Sequence, residues 1–184
     1  DNRTALGRWV QGKRVLDLFC YNGAWSMTAA LGGAAEVTGV DESSDAVAQA
    51  RHNARINGIL SRCEFVEEEV FTYLKGVPRG AFELVVVDPP AFAKTISSLQ
   101  EARKGYTDLN RRAMLALAPG GILVSSTCSY HVTHDVFEEI LMQASLASGR
   151  RIKLLEARGQ AMDHPILLAM PETRYLKCYI LQVE

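Results

Sequence analysis

Residues Phe82–Phe92 read FELVVVDPPAF. The run Leu84-Val85-Val86-Val87 is apolar and rich in β-branched side chains, and it stops abruptly at Asp88-Pro89-Pro90. Such a run suits a strand covered on both faces, as in the middle of a parallel sheet. Proline has no N–H to give to a ladder, so two in succession end the strand and leave Asp88 at its carboxyl edge. In open α/β sheets that edge is where ligands bind. A carboxylate there, followed by a stiff turn and the aromatic Phe92, suits a pocket for a flat polar substrate. The plainer role for Asp88 is to cap the loop.

Outward from this strand the chain alternates strand and helix patterns. On the amino-terminal side, Asp1–Gly12 reads as a lead-in helix, followed by strands at Arg14–Cys20, Glu36–Asp41 and Cys63–Glu67. Helices at Trp25–Leu31, from Ser43 or Ser44 to Asn57, and from Val70 to about Lys75 separate them. On the carboxyl side, Leu99, Ala102, Tyr106, Leu109, Ala113 and Ala116 share one face of a helix that Pro119-Gly120-Gly121 should end. Ile122–Ser129 is a fifth strand, Thr133–Ser148 a helix, and Arg151–Ala157 and Tyr175–Val183 are strands six and seven. Strands separated by helices imply βαβ units and a parallel sheet. The last two strands have only a loop between them and should pair as an antiparallel hairpin at one edge. The expectation is an α/β, Rossmann-like fold: a seven-stranded mixed sheet with helices on both faces.

At 184 residues the chain fits one domain with a real core. Its 48% hydrophobic and 22% charged residues are ordinary for a globular protein. A formal net charge of −1 does not advertise nucleic-acid binding, which usually leaves a basic footprint. No apolar run approaches the ~20 residues of a membrane span. The four cysteines, Cys20, Cys63, Cys128 and Cys178, form no Cys-x-x-Cys pair, which suits free thiols in a reducing, cytoplasmic compartment. A start at Asp1-Asn2-Arg3, with no Met, suggests a fragment of a longer protein.

Strand one runs into Asp17-Leu18-Phe19-Cys20-Tyr21-Asn22-Gly23, and strand two ends in Asp41, 18 residues beyond Gly23. A glycine turn lets a ligand approach the backbone, and an acid at the end of the next strand takes ribose hydroxyls. The second and third glycines of the dinucleotide fingerprint are missing, so nothing makes room for a pyrophosphate. A ligand with a ribose and no phosphates fits better, and S-adenosylmethionine is the common one. The alternative is a tight turn plus a helix-capping acid.

Leu16–Gly23, Val40-Asp41, the Asp-Pro-Pro-Ala-Phe segment and Thr127-Cys128-Ser129 together resemble the class I S-adenosylmethionine-dependent methyltransferases. The chain is similar in particular to the bacterial 23S rRNA cytosine-5 methyltransferases of the large-subunit methyltransferase I type. That likeness runs from Asp1-Asn2-Arg3 through Gly105–Asn110 and Asp163-His164-Pro165 to Pro171–Lys177. It implies Asp17, Phe19, Tyr21 and Gly23 along the methionine and adenosine of the cofactor. It puts Asp41 on the ribose with Glu42 and Ser43 beside it. Glu69 stands where the family usually has an aspartate for the adenine amine, and Asn22 where it usually has threonine. The resemblance also implies an RNA-binding PUA domain and a small linking domain upstream of residues 1–184, and 23S rRNA as partner.

Strand five is apolar to Val124 and then becomes Ser125-Ser126-Thr127-Cys128-Ser129. A cysteine at that end, beside the Asp88 edge, is placed to attack a base. Carbon 5 of cytosine is a poor nucleophile, and a thiolate adding to carbon 6 makes an enamine that can take a methyl group there. Asp88 is the acid to stabilise that adduct at the ring nitrogen. The plainer reading of a lone cysteine is a small buried hydrophobe. Pro89, Pro90 and Phe92 should shape the base pocket, and Arg103-Lys104 should meet phosphates. Cys128, His131 and His134 fall at spacings a metal could use, but zinc ligands normally pair more recognisably, and no metal is expected. Three other readings compete: methylation of an exocyclic amine or ring nitrogen, which needs no cysteine; a non-catalytic RNA-binding module, which needs neither acids nor thiol; and a nicotinamide oxidoreductase, which lacks its glycines.

Overall fold

The structure, a computed structural model, describes residues 2–93 and 95–184. Seven strands form one sheet: β1 (Arg14–Leu18), β2 (Glu36–Asp41), β3 (Cys63–Glu67), β4 (Phe82–Val87), β5 (Leu117–Thr127), β6 (Ile152–Arg158) and β7 (Lys177–Val183). They lie in the order β3-β2-β1-β4-β5-β7-β6. The first five are parallel, and β7 runs antiparallel to both β5 and β6. The expected hairpin therefore exists with β7 on the inside: β7 is buried almost throughout, whereas β6 is the exposed edge.

Strand β4 sits in the middle because its sequence has no polar face to show to water. Leu84, Val85, Val86 and Val87 are all fully buried. Successive side chains point to opposite faces of a strand. Accordingly Val85 and Val87 join one core cluster and Leu84 and Val86 the other. The second cluster is closed by α1 (Asn2–Leu6), α2 (Ala24–Leu31) and α3 (Ser44–Ile56). The first is closed by α4 (Val70–Gly76), α5 (Leu99–Ala116) and α6 (His134–Ser148). Burying each valine or leucine of β4 contributes about 1.5–3 kcal/mol.

Two boundaries differ from the sequence reading by more than two residues. Helix α1 stops at Leu6 rather than Gly12, since Gly7 is a poor helix former and tight turns follow, although Leu6 and Val10 are buried as expected. The Asp1 end of that segment lies outside the described residues. Helix α5 ends at Ala116, and Pro119-Gly120-Gly121 lies inside β5 instead of terminating the helix. It forms a bulge against β4, with Gly120 at φ +79° and a register shift between Phe82 and Leu84. No described helix is long and apolar enough to cross a membrane.

The strand order fixes where a ligand can go. From β1 the chain builds outward to β2 and β3, then returns to place β4 on the other side of β1. The crevice opens at that reversal, outside the carboxyl ends of β1 and β4. Those ends are Leu18, leading into Phe19–Gly23, and Val87, leading into Asp88.

Candidate active site

After β1 the backbone makes an unusual turn: Phe19 (φ 62°), Tyr21 (φ 49°) and Gly23 (φ 81°) are all left-handed. Aromatic residues rarely adopt that region, and such strain concentrates at functional sites. The turn is tied to β2 by the Tyr21 N–H, which donates to Asp41 Oδ2 at 2.9 Å, while the Ser43 N–H donates to Oδ1 at 3.0 Å. Asp41 is half-buried, and a carboxylate oxygen that accepts one hydrogen bond can accept another. At φ 81° a side chain on Gly23 would be strained, and its Cβ would come within 3.1 Å of Ala50 and Met27.

On the β4 side, Asp88 Oδ2 accepts from the Trp25 indole N–H at 2.8 Å. Burial pushes the Asp88 carboxyl up, against the pull of Trp25, Arg3 and Ser126. Phe92 stacks on Tyr106 with ring centroids 4.5 Å apart, and the Phe92 N–H donates to the Tyr106 hydroxyl at 3.3 Å. The same hydroxyl accepts from Thr127 Oγ1 at 2.9 Å and lies 3.1 Å from Ser129 Oγ. The Asp-Pro-Pro loop is thereby clamped to the residues on either side of Cys128. The thiol itself is half-buried. Burial and Asp88 push it up, whereas its own N–H, the Lys177 ammonium and the Ala91 N–H favour the thiolate. Lys177 is buried and donates to Ser129 O at 2.9 Å; burial lowers it to about 8.

A cavity of 540 Å³ opens between these elements, in the size range of small-molecule sites. Phe19, Tyr21, Trp25, Asp88 and Ser126 form its floor. Asn2, Arg3, Gln160, Asp163, His164 and Tyr175 form its far wall. That wall comes from α1 and from the loop between β6 and β7, which fold back over the carboxyl edge of the sheet.

Residues 2–158 match the family of S-adenosylmethionine-dependent methyltransferases. The chain belongs to that family. It is 41% identical over 186 residues to a ribosomal RNA large subunit methyltransferase I of Klebsiella pneumoniae, covering 100% of this chain and 46% of that protein. With the Aeromonas hydrophila protein of the same description it is 43% identical over 180 residues, 96% of this chain and 45% of the relative. The chain thus spans about half the length of the curated relatives it matches. Among solved structures, SMU.776 complexed with SAH superposes with a TM-score of 0.84 at 25% identity, covering 98% of this chain and 48% of that one.

For this methyltransferase domain the cofactor is S-adenosylmethionine, and the residues present fit it. Its sulfonium and ammonium are cationic, and the carboxylates of Asp41 and Asp88 stand at the ends of β2 and β4, with Asp17 buried beneath the turn where the charges of both reach it. Asp17 Oδ1 is buried with no partner among the described residues. Asp41, with Glu42 exposed beside it, would hold the ribose. Asp41→Ala should weaken cofactor binding by about 1.5–3 kcal/mol, the worth of hydrogen bonds to a charged group. Calorimetric titration measures it, and an unchanged affinity would remove Asp41 from the site.

The remaining expected residues are placed as follows. Gly23, Asp41, Phe92 and Cys128 border the same sheet edge but are not among the residues that line the cavity, and neither is Asp17. Asp17 is fully buried beneath the turn, and its Oδ2 accepts from Ser26 N at 3.0 Å and Ser26 Oγ at 2.6 Å, anchoring α2. Glu69 caps α4, accepting from Phe71 N and Thr72 N at 2.9 and 2.7 Å. Ser43 caps α3 through Ala46 N. Pro89 is buried and Pro90 exposed. Arg103 and Lys104 are not brought to the cavity. They pair with Glu139 and Glu101 on the α5–α6 surface and line a different hollow. Trp25, Ser126, Lys177 and the β6–β7 wall were not picked out from the sequence as site residues, because only the fold carries them there.

Burial also makes Asp17 a pH-dependent element, its carboxyl pushed up to about 7. Because the folded-state value lies above the unfolded one, the native state holds the extra proton. That contribution is full below the ordinary carboxyl range near ~4 and is lost as pH rises toward about 7, on the order of a few kcal/mol. Asp17→Asn should flatten this decline, as read from urea unfolding across that window; an unaltered slope would contradict the assignment.

Proposed function

We propose that the domain methylates carbon 5 of a cytosine in RNA, 23S rRNA being the substrate, through a covalent adduct with Cys128. The observation that carries this reading is a half-buried thiol at the carboxyl end of β5, electrostatically coupled to the Asp88 carboxyl at the end of β4. The relatives are ribosomal RNA large subunit methyltransferases, which supports an rRNA substrate. This chain covers 46% of the Klebsiella relative, which leaves room for the PUA domain and linking domain that the resemblance implies.

A base must leave the stack to enter a cavity of this kind. Phe92, fixed by its stack on Tyr106, gives the loop an aromatic wall. Asp88 meets the Watson–Crick edge. The Cys128 thiolate adds to carbon 6: the S–C6 bond forms, the C5=C6 electron pair becomes a C4=C5 bond, and the C4=N3 pair moves onto N3, which takes the proton of Asp88, leaving an enamine with its nucleophilic end at carbon 5. S-adenosylmethionine supplies an electrophilic methyl group on its sulfonium. Loss of the carbon 5 proton to a base then restores the C5=C6 bond, expels the Cys128 thiolate and returns the N3 proton to Asp88. Thiol and carboxyl each disfavour the other's charge, so a neutral Asp88 is the state in which Cys128 ionises most readily.

The test is the identity of the product nucleoside. Large-subunit rRNA isolated from cells lacking the protein, incubated with cofactor and enzyme and digested to nucleosides, should yield 5-methylcytidine by mass spectrometry. A methyl group on an exocyclic amine or a ring nitrogen would overturn the proposal.

A further inference from the structure

The Asp88 carboxyl has two oxygens, and the sequence places no donor near either of them. The fold brings one from 63 residues away: Trp25 Nε1 donates to Oδ2 at 2.8 Å. Trp25 lies in the first turn of α2, immediately beyond the strained Phe19–Gly23 turn, and is only 8% exposed, so its ring has little room to leave. Both residues line the 540 Å³ cavity. An indole N–H can only donate. The oxygen it touches must therefore act as an acceptor whether or not the carboxyl is protonated.

We propose that Trp25 is a positioning residue: by holding Oδ2 of Asp88 as an acceptor it turns Oδ1 toward the base and obliges the carboxyl proton to sit on Oδ1. This rests on Asp88 meeting the Watson–Crick edge, as set out above. N3 of cytosine is an acceptor, so a donor fixed on the cavity-facing oxygen matches it, whereas a freely rotating carboxyl would present either oxygen. The logic is that of an orienting group behind a catalytic acid, which fixes where the proton sits without touching substrate. Arg3 of α1 and Ser126 of β5 also act on Asp88, and Asp88 in turn acts on Asp17 beneath the turn, Cys128 at the β5 end and Cys178 of β7. Of these only Arg3 carries a positive charge, and it acts through space; the Ser126 hydroxyl also favours the charged carboxyl, and Trp25 provides the 2.8 Å contact that fixes Oδ2.

Trp25→Phe keeps the ring and removes the N–H. We expect methyl transfer to rRNA to fall about 10–100-fold with the KM for cofactor within about threefold, a loss confined to orientation. The limb of the pH–rate profile set by Asp88 should also move to higher pH, because a donor to the charged form has gone. A second readout needs no RNA. The chain has two tryptophans, and one of the two indole N–H resonances should shift with pH in the wild type and lose that titration in Asp88→Asn. A normal rate in Trp25→Phe, a slow rate with an unmoved pH limb, or indole resonances insensitive to Asp88 would each overturn the inference. If Asp88→Asn is slow in the same assay, the reading of Asp88 survives that failure. If Asp88→Asn is itself as fast as wild type, both fall together.

Discussion

Asp88→Asn is expected to lower methyl transfer by about 10²–10⁴-fold, the usual worth of a positioned acid–base group, while cofactor affinity stays within a few-fold. The substitution preserves shape. The Trp25 N–H still finds an acceptor in the amide oxygen, which turns the amide NH₂ toward the base. That group can donate a hydrogen bond to N3 but cannot give up a proton, so the adduct loses its stabilising acid. Labelled methyl transfer to rRNA, alongside calorimetric titration of the cofactor, separates the two effects. Transfer at the wild-type rate would remove Asp88 from the chemistry.

Cys128→Ser should be still more severe, on the order of 10⁴-fold or more, because a serine hydroxyl is barely ionised at neutral pH and no base is arranged to take its proton. Cys20 borders the cavity, but neither it nor the other two cysteines offers a substitute nucleophile. Cys20 and Cys178 are buried, and burial pushes both thiols up, Cys178 to about 11. Cys63 lies at the start of β3, the far edge of the sheet and the opposite end from the crevice. Serine at any of these three positions should leave turnover near wild type. Turnover of Cys128→Ser comparable to wild type would exclude the thiol as nucleophile.

What the sequence disclosed and what it hid divide along physical lines. A buried central strand was legible from Leu84–Val87, because a strand with two dry faces has to be apolar at every position. The ends of that strand and of β2 were legible because proline stops a ladder and a helix cap follows Asp41. Local chemistry likewise located the turn at Tyr21–Gly23. The pairing of Trp25 with Asp88 was not legible, since nothing local says which donor the sheet will bring to a carboxylate 63 residues on. The same is true of the Gln160–Tyr175 wall: its loop has exposed apolar residues and no periodicity, and it becomes part of a site only by folding over the sheet edge. Arg103 and Lys104 misled in the other direction. Closeness in sequence to the Asp-Pro-Pro loop suggested phosphate contacts, but α5 carries them to acidic partners on the outer surface. Asp17 belongs to the turn motif in sequence, but the alternation of β1 turns its side chain inward. Its neighbours Leu16 and Leu18 face one core, so Asp17 must face the other, beneath α2.

The central claim, that Cys128 forms a bond to carbon 6 so that carbon 5 can be methylated, is tested most directly by denaturing electrophoresis of enzyme incubated with cofactor and rRNA containing 5-fluorocytosine. Fluorine in place of the carbon 5 proton leaves nothing for the base to remove, so elimination is blocked and the S–C6 bond persists. An RNA-linked band that survives denaturant is expected in the wild type and in Cys20→Ser, Cys63→Ser and Cys178→Ser, and none in Cys128→Ser. A wild-type enzyme that methylates ordinary rRNA yet forms no such band would contradict the claim and point instead to an exocyclic amine or ring nitrogen as the acceptor.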